Sequence, residues 1–132
     1  MSLYGNIYQA HIDLGDYREA IKWQTKLIRI NSKDRLDIRS QARIHLIMCH
    51  FEIGNFELLP GLLNDAAKWY EKNGILFRYE NHMLGFFRKH FLRPLNQNKA
   101  REDFKILIHK TSGNQRNTKV PEFITWMGSK LK

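Results

Sequence analysis

The stretch His11-Ile12-Asp13-Leu14-Gly15-Asp16-Tyr17 returns 39 residues later as His50-Phe51-Glu52-Ile53-Gly54-Asn55-Phe56, every position identical or chemically similar. At the same offset Ile7 matches Leu46 and Tyr8 matches Ile47. Such a run is not expected by chance, and self-similarity at a spacing of roughly 20 to 50 residues is the mark of stacked structural repeats. Each copy holds a glycine able to take the left-handed conformation that ends a helix. An Asp or Asn follows, whose side chain can accept from the amides that open the next helix. The stretch reads as helix, tight turn, helix, twice over.

Working outward, Leu3, Tyr4, Ile7, Tyr8, His11 and Ile12 recur at three and four residues, the spacing of one helical face. Tyr17, Ala20, Ile21, Gln24, Leu27 and Ile28 continue it in a second helix. A polar stretch, Asn31 to Asp34, precedes a third helix with Ile38, Ala42, His45, Leu46 and Cys49 on one side. A fourth, capped by Asn55 and ended by Asn73-Gly74, carries Leu59, Leu62, Leu63, Ala66, Ala67 and Tyr70. The hairpins span about 3–31 and 34–73. Two helices joined by so short a turn run antiparallel.

Residues 75–132 keep helical spacing but lose the glycine turn. Leu76, Tyr79, Met83, Leu84, Phe87 and Phe91 mark a fifth helix closed by Pro94. Phe77, Phe86 and Phe87 cannot all share a face with positions 76, 83 and 84, so this helix is expected either to be sandwiched between neighbours, the preferred reading, or to contact a partner. Asn96 caps a sixth helix with Ala100, Phe104, Leu107 and Ile108, ending near Ser112-Gly113. Beyond a polar linker, 114–118, Pro121 suits the first turn of a last helix edged by Phe123, Ile124, Met127 and Leu131. The fold class is all-α, with about seven antiparallel helices in one domain, 1–132, and the last helix as a C-terminal cap.

A chain of 132 residues buries roughly two-thirds of its unfolded surface, and 42% hydrophobic with 27% charged residues is ordinary globular usage. The single cysteine, Cys49, excludes an intrachain disulfide framework and a cysteine-based zinc site. No apolar run approaches the roughly 18 to 20 residues needed to span a bilayer, and no signal-type segment opens the chain. A soluble, cytoplasmic protein is the expectation. Met1, Ser2 and Leu3 lead almost at once into a helix, which suggests part of a longer protein.

Six histidines raise the question of metal or catalysis. His45 and Cys49 stand four apart on one face and His82 pairs with His90 in sequence, but no further ligands complete a recognisable site. His11 and His50 hold equivalent repeat positions, where hydrogen-bonded core histidines are expected. Neither a glycine-rich phosphate loop, a nucleophile elbow nor a metalloprotease motif occurs, so no enzyme activity and no cofactor are expected.

Charge is uneven. Residues 1–72 hold ten basic and nine acidic side chains, residues 73–132 twelve and four. Arg88, Lys89 and Arg93, with His90 among them, form the densest group, followed by Lys99, Arg101, Lys105 and Lys110. Such a field attracts acidic proteins, nucleic-acid phosphates or an anionic membrane surface.

The segment Leu14-Gly15-Asp16-Tyr17-Arg18-Glu19-Ala20-Ile21 resembles the inter-helix turn of tetratricopeptide repeats, with Ala20 at the small position where two helices approach. Departures are Tyr8 at a usually small position, His11 at an aromatic one, Ser32 for the closing proline, Leu59 for the alanine of the second unit, and a spacing of 39 where 34 is usual. The resemblance implies a right-handed superhelix whose first helices line a concave groove. It puts Asn6, Gln9 and Asp13, then Gln41, His45 and Met48, against an extended or helical peptide. The asparagine and lysine set of the carboxylate-clamp members is not present. A protein-protein interaction module is the function implied. A basic nucleic-acid-binding module, using the last three helices, is the alternative.

Overall fold

The computed structural model describes residues 3–30, 36–73, 78–93, 96–112 and 119–131. Among them are seven helices and no strand: α1 (Leu3–Asp13), α2 (Tyr17–Arg29), α3 (Leu36–Glu52), α4 (Leu59–Asn73), α5 (Arg78–Phe91), α6 (Gln97–Thr111) and α7 (Lys119–Ser129). The all-α expectation holds. The readings placed on Asn31, Ser32, Gly74, Leu76, Phe77, Pro94, Gly113 and the 114–118 linker lie outside the described residues. Read from its sequence as one domain, the chain divides into two compact units, 1–62 and 63–132, with the division inside α4.

In the first unit the repeated stretch becomes one turn made twice. Gly15 and Gly54 take φ of 77° and 84°. Around the first glycine, the amide of Gly15 donates to the Ile12 carbonyl (2.9 Å) and that of Asp16 to His11 (2.8 Å). Around the second, Gly54 donates to Phe51 (3.1 Å) and Asn55 to His50 (2.9 Å). These are the two bonds that close a helix through a left-handed residue and satisfy carbonyls left without intrahelical partners. The side chains flanking the turn differ, His50 Nδ1 accepting from Asn55 at 3.1 Å whereas His11 Nδ1 lies 3.7 Å from Asp16, beyond hydrogen-bond reach. Both histidines are half-buried turn residues, not the core residues expected. Burial recurs at the same offset: Tyr8 and Ile47, Ala20 and Leu59, and Leu27 and Ala66 are all buried.

The copies part company after the turn. In the first, Asp16 caps α2 by accepting from the Glu19 amide (3.3 Å), and the Ala20 amide donates to Asp16 in ordinary α-helical fashion. In the second, Phe56–Leu58 wind as a 3-10 turn and α4 starts only at Leu59. Asn55 makes no side-chain cap there and donates instead to His50 Nδ1, so the expected cap of the fourth helix is corrected. Pro60 supplies the reason. An α-helix begun at Phe56 would need an amide at position 60 to donate to the Phe56 carbonyl, and proline has none and clashes with that carbonyl. Wound to i→i+3 bonding, with Leu58 donating to Asn55 and Leu59 to Phe56, the turn leaves Pro60 near a fresh helix start, where the missing amide costs nothing.

α3 packs on α2 and α1, burying Ile38, Ala42 and Cys49 with Tyr8, Ala20 and Leu27. Polar contacts also cross that interface. Tyr8 Oη and His45 Nδ1 are 3.0 Å apart, and Gln24 Nε2 donates to Cys49 Sγ at 3.4 Å. In the second unit α5 packs between α6 and α7. Phe87 stacks on Phe91 (5.0 Å, 6° between planes) and lies 6.2 Å from Phe123, while Phe86 tilts against Phe104 of α6. Asn81, His82, Gly85, Arg88 and Lys89 form the solvent-facing stripe of α5, and nearly everything else described on it is buried.

Candidate binding site

On α1, Asn6, Gln9 and Asp13 lie along one face, Asn6 and Asp13 exposed and Gln9 half-buried, with Gln9 Nε2 donating to Asp13 Oδ1 at 3.0 Å. Their counterparts 39 residues on behave differently. His45 and Met48, equivalent to Asn6 and Gln9, are buried, as is Gln41. On that face His45 reaches Tyr8 and Cys49 reaches Gln24, so it is where the second hairpin seats on the first. The expected ligand row is corrected in its second half: Gln41, His45 and Met48 serve packing and offer a peptide no surface. Burial pushes the Cys49 thiol up to about 12, against a lowering by the Gln24 hydrogen bond and helped by the nearby Glu52 charge. The protonated thiol is a poor nucleophile and ligand. Burial likewise lowers His50 from its ordinary value, and the Asn55 amide donating to Nδ1 puts the ring proton on Nε2.

The basic set of the second unit is split by the structure. Lys89 of α5 and Lys99 of α6 converge on Asp103, a residue the sequence reading did not single out. Lys89 Nζ lies 2.9 Å from Asp103 Oδ2, His90 Nε2 donates to the same oxygen at 2.8 Å, and Lys99 Nζ stands 3.5 Å from Oδ1. The Lys89 and His90 hydrogen bonds, opposed by desolvation and helped by the charges of Lys89 and Lys99, bring the Asp103 carboxyl down to about 2. Helical spacing makes the group possible. Lys89 and His90 sit at the end of α5 facing α6, and Lys99 and Asp103 are four apart on α6. That i,i+4 pair was the signal available in the sequence.

Beside this network runs an open cleft of about 350 Å³ between α5 and α6, lined by Asn81, His82, Gly85, Phe86, Lys89, His90, Asp103, Ile106, Leu107 and Lys110. Phe86 and Leu107 are buried beneath it, while Ile106 is 52% exposed and Lys110 exposed at its edge. The remaining members of the basic set point elsewhere. Arg88 Nη2 donates to Asn64 Oδ1 of α4 (3.0 Å), and Arg93 is exposed past the end of α5. Arg101 Nε donates to the Leu131 carbonyl (3.1 Å) and, with Lys105, borders a separate apolar hollow against Gly128 of α7.

Among the described residues no three His, Cys, Asp or Glu side chains converge as a metal site would require, and no helix is long and apolar enough to cross a membrane. Comparison with protein-family models, with curated proteins and with solved structures finds no match.

Proposed function

We propose that the chain is a non-catalytic, tetratricopeptide-like helical-repeat module that holds a segment of a partner protein. The observation that carries this reading is the turn built twice at an offset of 39, with the same pair of closing hydrogen bonds and the same buried positions on either side. Repetition of this kind builds a fold from hairpins that each lean on the next, and such folds present extended surfaces to other macromolecules. In the first unit the row Asn6, Gln9 and Asp13, exposed at its two ends and half-buried at Gln9, is the surface in question.

A photo-crosslinking residue placed at Asn6, and separately at His82, tests the reading in native extract at physiological salt. A single protein crosslinked reproducibly from either position is the expected result. Crosslinks to nucleic acid from His82, with no protein from Asn6, would move the function to the alternative, a basic nucleic-acid-binding module. That alternative draws on the excess of twelve basic over four acidic side chains in residues 73–132.

A further inference from the structure

We infer that the α5–α6 cleft is the recognition site for an acidic amphipathic peptide segment, one that sets a Glu or Asp carboxylate against Lys89 and Lys110 and an apolar side chain against Ile106 and Phe86. This names the partner's chemistry for the interaction module proposed above, and rests on that reading. Three features of the cleft select this ligand.

The first is its mixed lining. Cations edge the cleft at Lys89 and Lys110, whereas Phe86 and Leu107 form an apolar base and Ile106 is left half in water. A purely ionic ligand would leave the apolar surface wet, and a purely apolar one would strip water from the ammonium groups without replacing it. A peptide carrying both kinds of side chain at helical spacing satisfies both. The volume of about 350 Å³ holds one or two side chains and not a folded domain.

The second is Asp103. It holds Lys89 in place, so the ordering of that side chain is not a cost of binding, and one carboxylate against Lys89 and Lys110 leaves the lining with a net positive charge. The third feature disfavours a nucleic-acid strand. A phosphate backbone needs cations strung along a track, with exposed flat rings for the bases. Here Arg88 and Arg101 are turned to Asn64 and to the Leu131 carbonyl, and the cations on the cleft lining are Lys89 and Lys110 alone, too few for a track.

Gly85 makes a clean test possible. It lies on the cleft wall in mid-helix, and a Cβ built there meets nothing within 4 Å. Gly85→Leu therefore raises helix propensity while placing a side chain in the cleft, and a melting temperature no lower than the parent's separates lost binding from lost folding. The probe is a fluorescein-labelled twelve-residue peptide of Glu and Leu at helical spacing, titrated by fluorescence anisotropy, beside an all-Glu peptide and a dodecathymidylate strand.

Gly85→Leu and Lys110→Glu should each weaken the Glu/Leu peptide about tenfold or more. The charge reversal Lys68→Glu, at an exposed residue outside the cleft lining, should change it by no more than about twofold, and the all-Glu peptide should bind less tightly than the Glu/Leu one. Equal losses from Lys110→Glu and Lys68→Glu would show a diffuse field and overturn the site. Tighter binding of the thymidylate strand, lost in Gly85→Leu, would assign the cleft to nucleic acid. No binding of any probe would remove the cleft from the account while leaving the interaction module to be judged by the Asn6 crosslink.

Discussion

Asp103 alters what the surrounding basic residues can do. Counted by sign, Lys89, Lys99 and Lys110 are loose surface cations, yet the carboxylate takes two of them and His90 into one network. Exposed ion pairs taken singly are worth little, whereas His90, 5% exposed, needs an acceptor it can keep. The carboxyl stands at about 2 in the folded chain against an ordinary 3.8. A depressed carboxylate stabilises the folded state fully above its unfolded value, and that contribution disappears as pH falls through the folded one. Asp103→Asn should therefore unfold at a lower temperature than the parent at neutral pH. The gap should narrow as pH falls below about 4, and the two melting curves should coincide only below about pH 2, once the folded carboxyl is itself protonated. A gap unchanged over that range would show that the carboxylate's shape matters and its charge does not.

At the level of elements, the two copies of one turn form an internal control, because a single proline separates their outcomes. Asp16 caps α2, whereas Asn55, in the same place, has been released from capping by the 3-10 turn that accommodates Pro60. Asp16→Ala should cost about 1 kcal/mol in urea unfolding, the usual worth of an N-cap. Pro60→Ala should restore an amide at position 60 and let α4 begin at the turn, so that Asn55→Ala costs more in that background than in the parent. Unchanged cost would separate the proline from the 3-10 turn. The turns and helix faces were legible in the sequence because a left-handed glycine and a three-four apolar spacing are local signals. The ligand row was not, because α3 buries Ser40, Gln41, Ala42, Ile44, His45, Ile47, Met48 and Cys49, well over half its circumference. Its half-exposed stripe runs through Arg39, Arg43, Leu46 and His50 instead, and Leu46 on that stripe is apolar, so polarity along the helix does not mark which face meets solvent. Pro60 was visible in the sequence, but its effect depends on how many residues separate it from the turn. The Asp103 network spans two helices, and charge counted along the chain does not show which cations a carboxylate on another element will claim.

For the molecule as a whole the decisive quantity is where the charge lies. Residues 1–62 hold eight basic and seven acidic side chains and residues 63–132 hold fourteen and six, so nearly all of the +9 belongs to the second unit. A field of that size draws any polyanion by long-range attraction, which makes affinity at low salt uninformative about the natural partner. Salt dependence is informative. Screening shortens the reach of exposed charges from about 10 Å at 0.1 M to about 3 Å at 1 M, while the gain from covering Ile106 and Phe86 is untouched by it. The Glu/Leu probe should therefore weaken as salt rises and then level off, retaining the share of its affinity that comes from apolar burial. A nucleic-acid strand held by released counterions weakens without levelling, its affinity falling as a straight line in the logarithm of salt concentration. Titrations of both probes at six salt concentrations between 0.05 and 1 M separate the two shapes. A straight line for the Glu/Leu peptide would leave charge alone as the attraction, and the cleft's apolar base would then have no part in recognition.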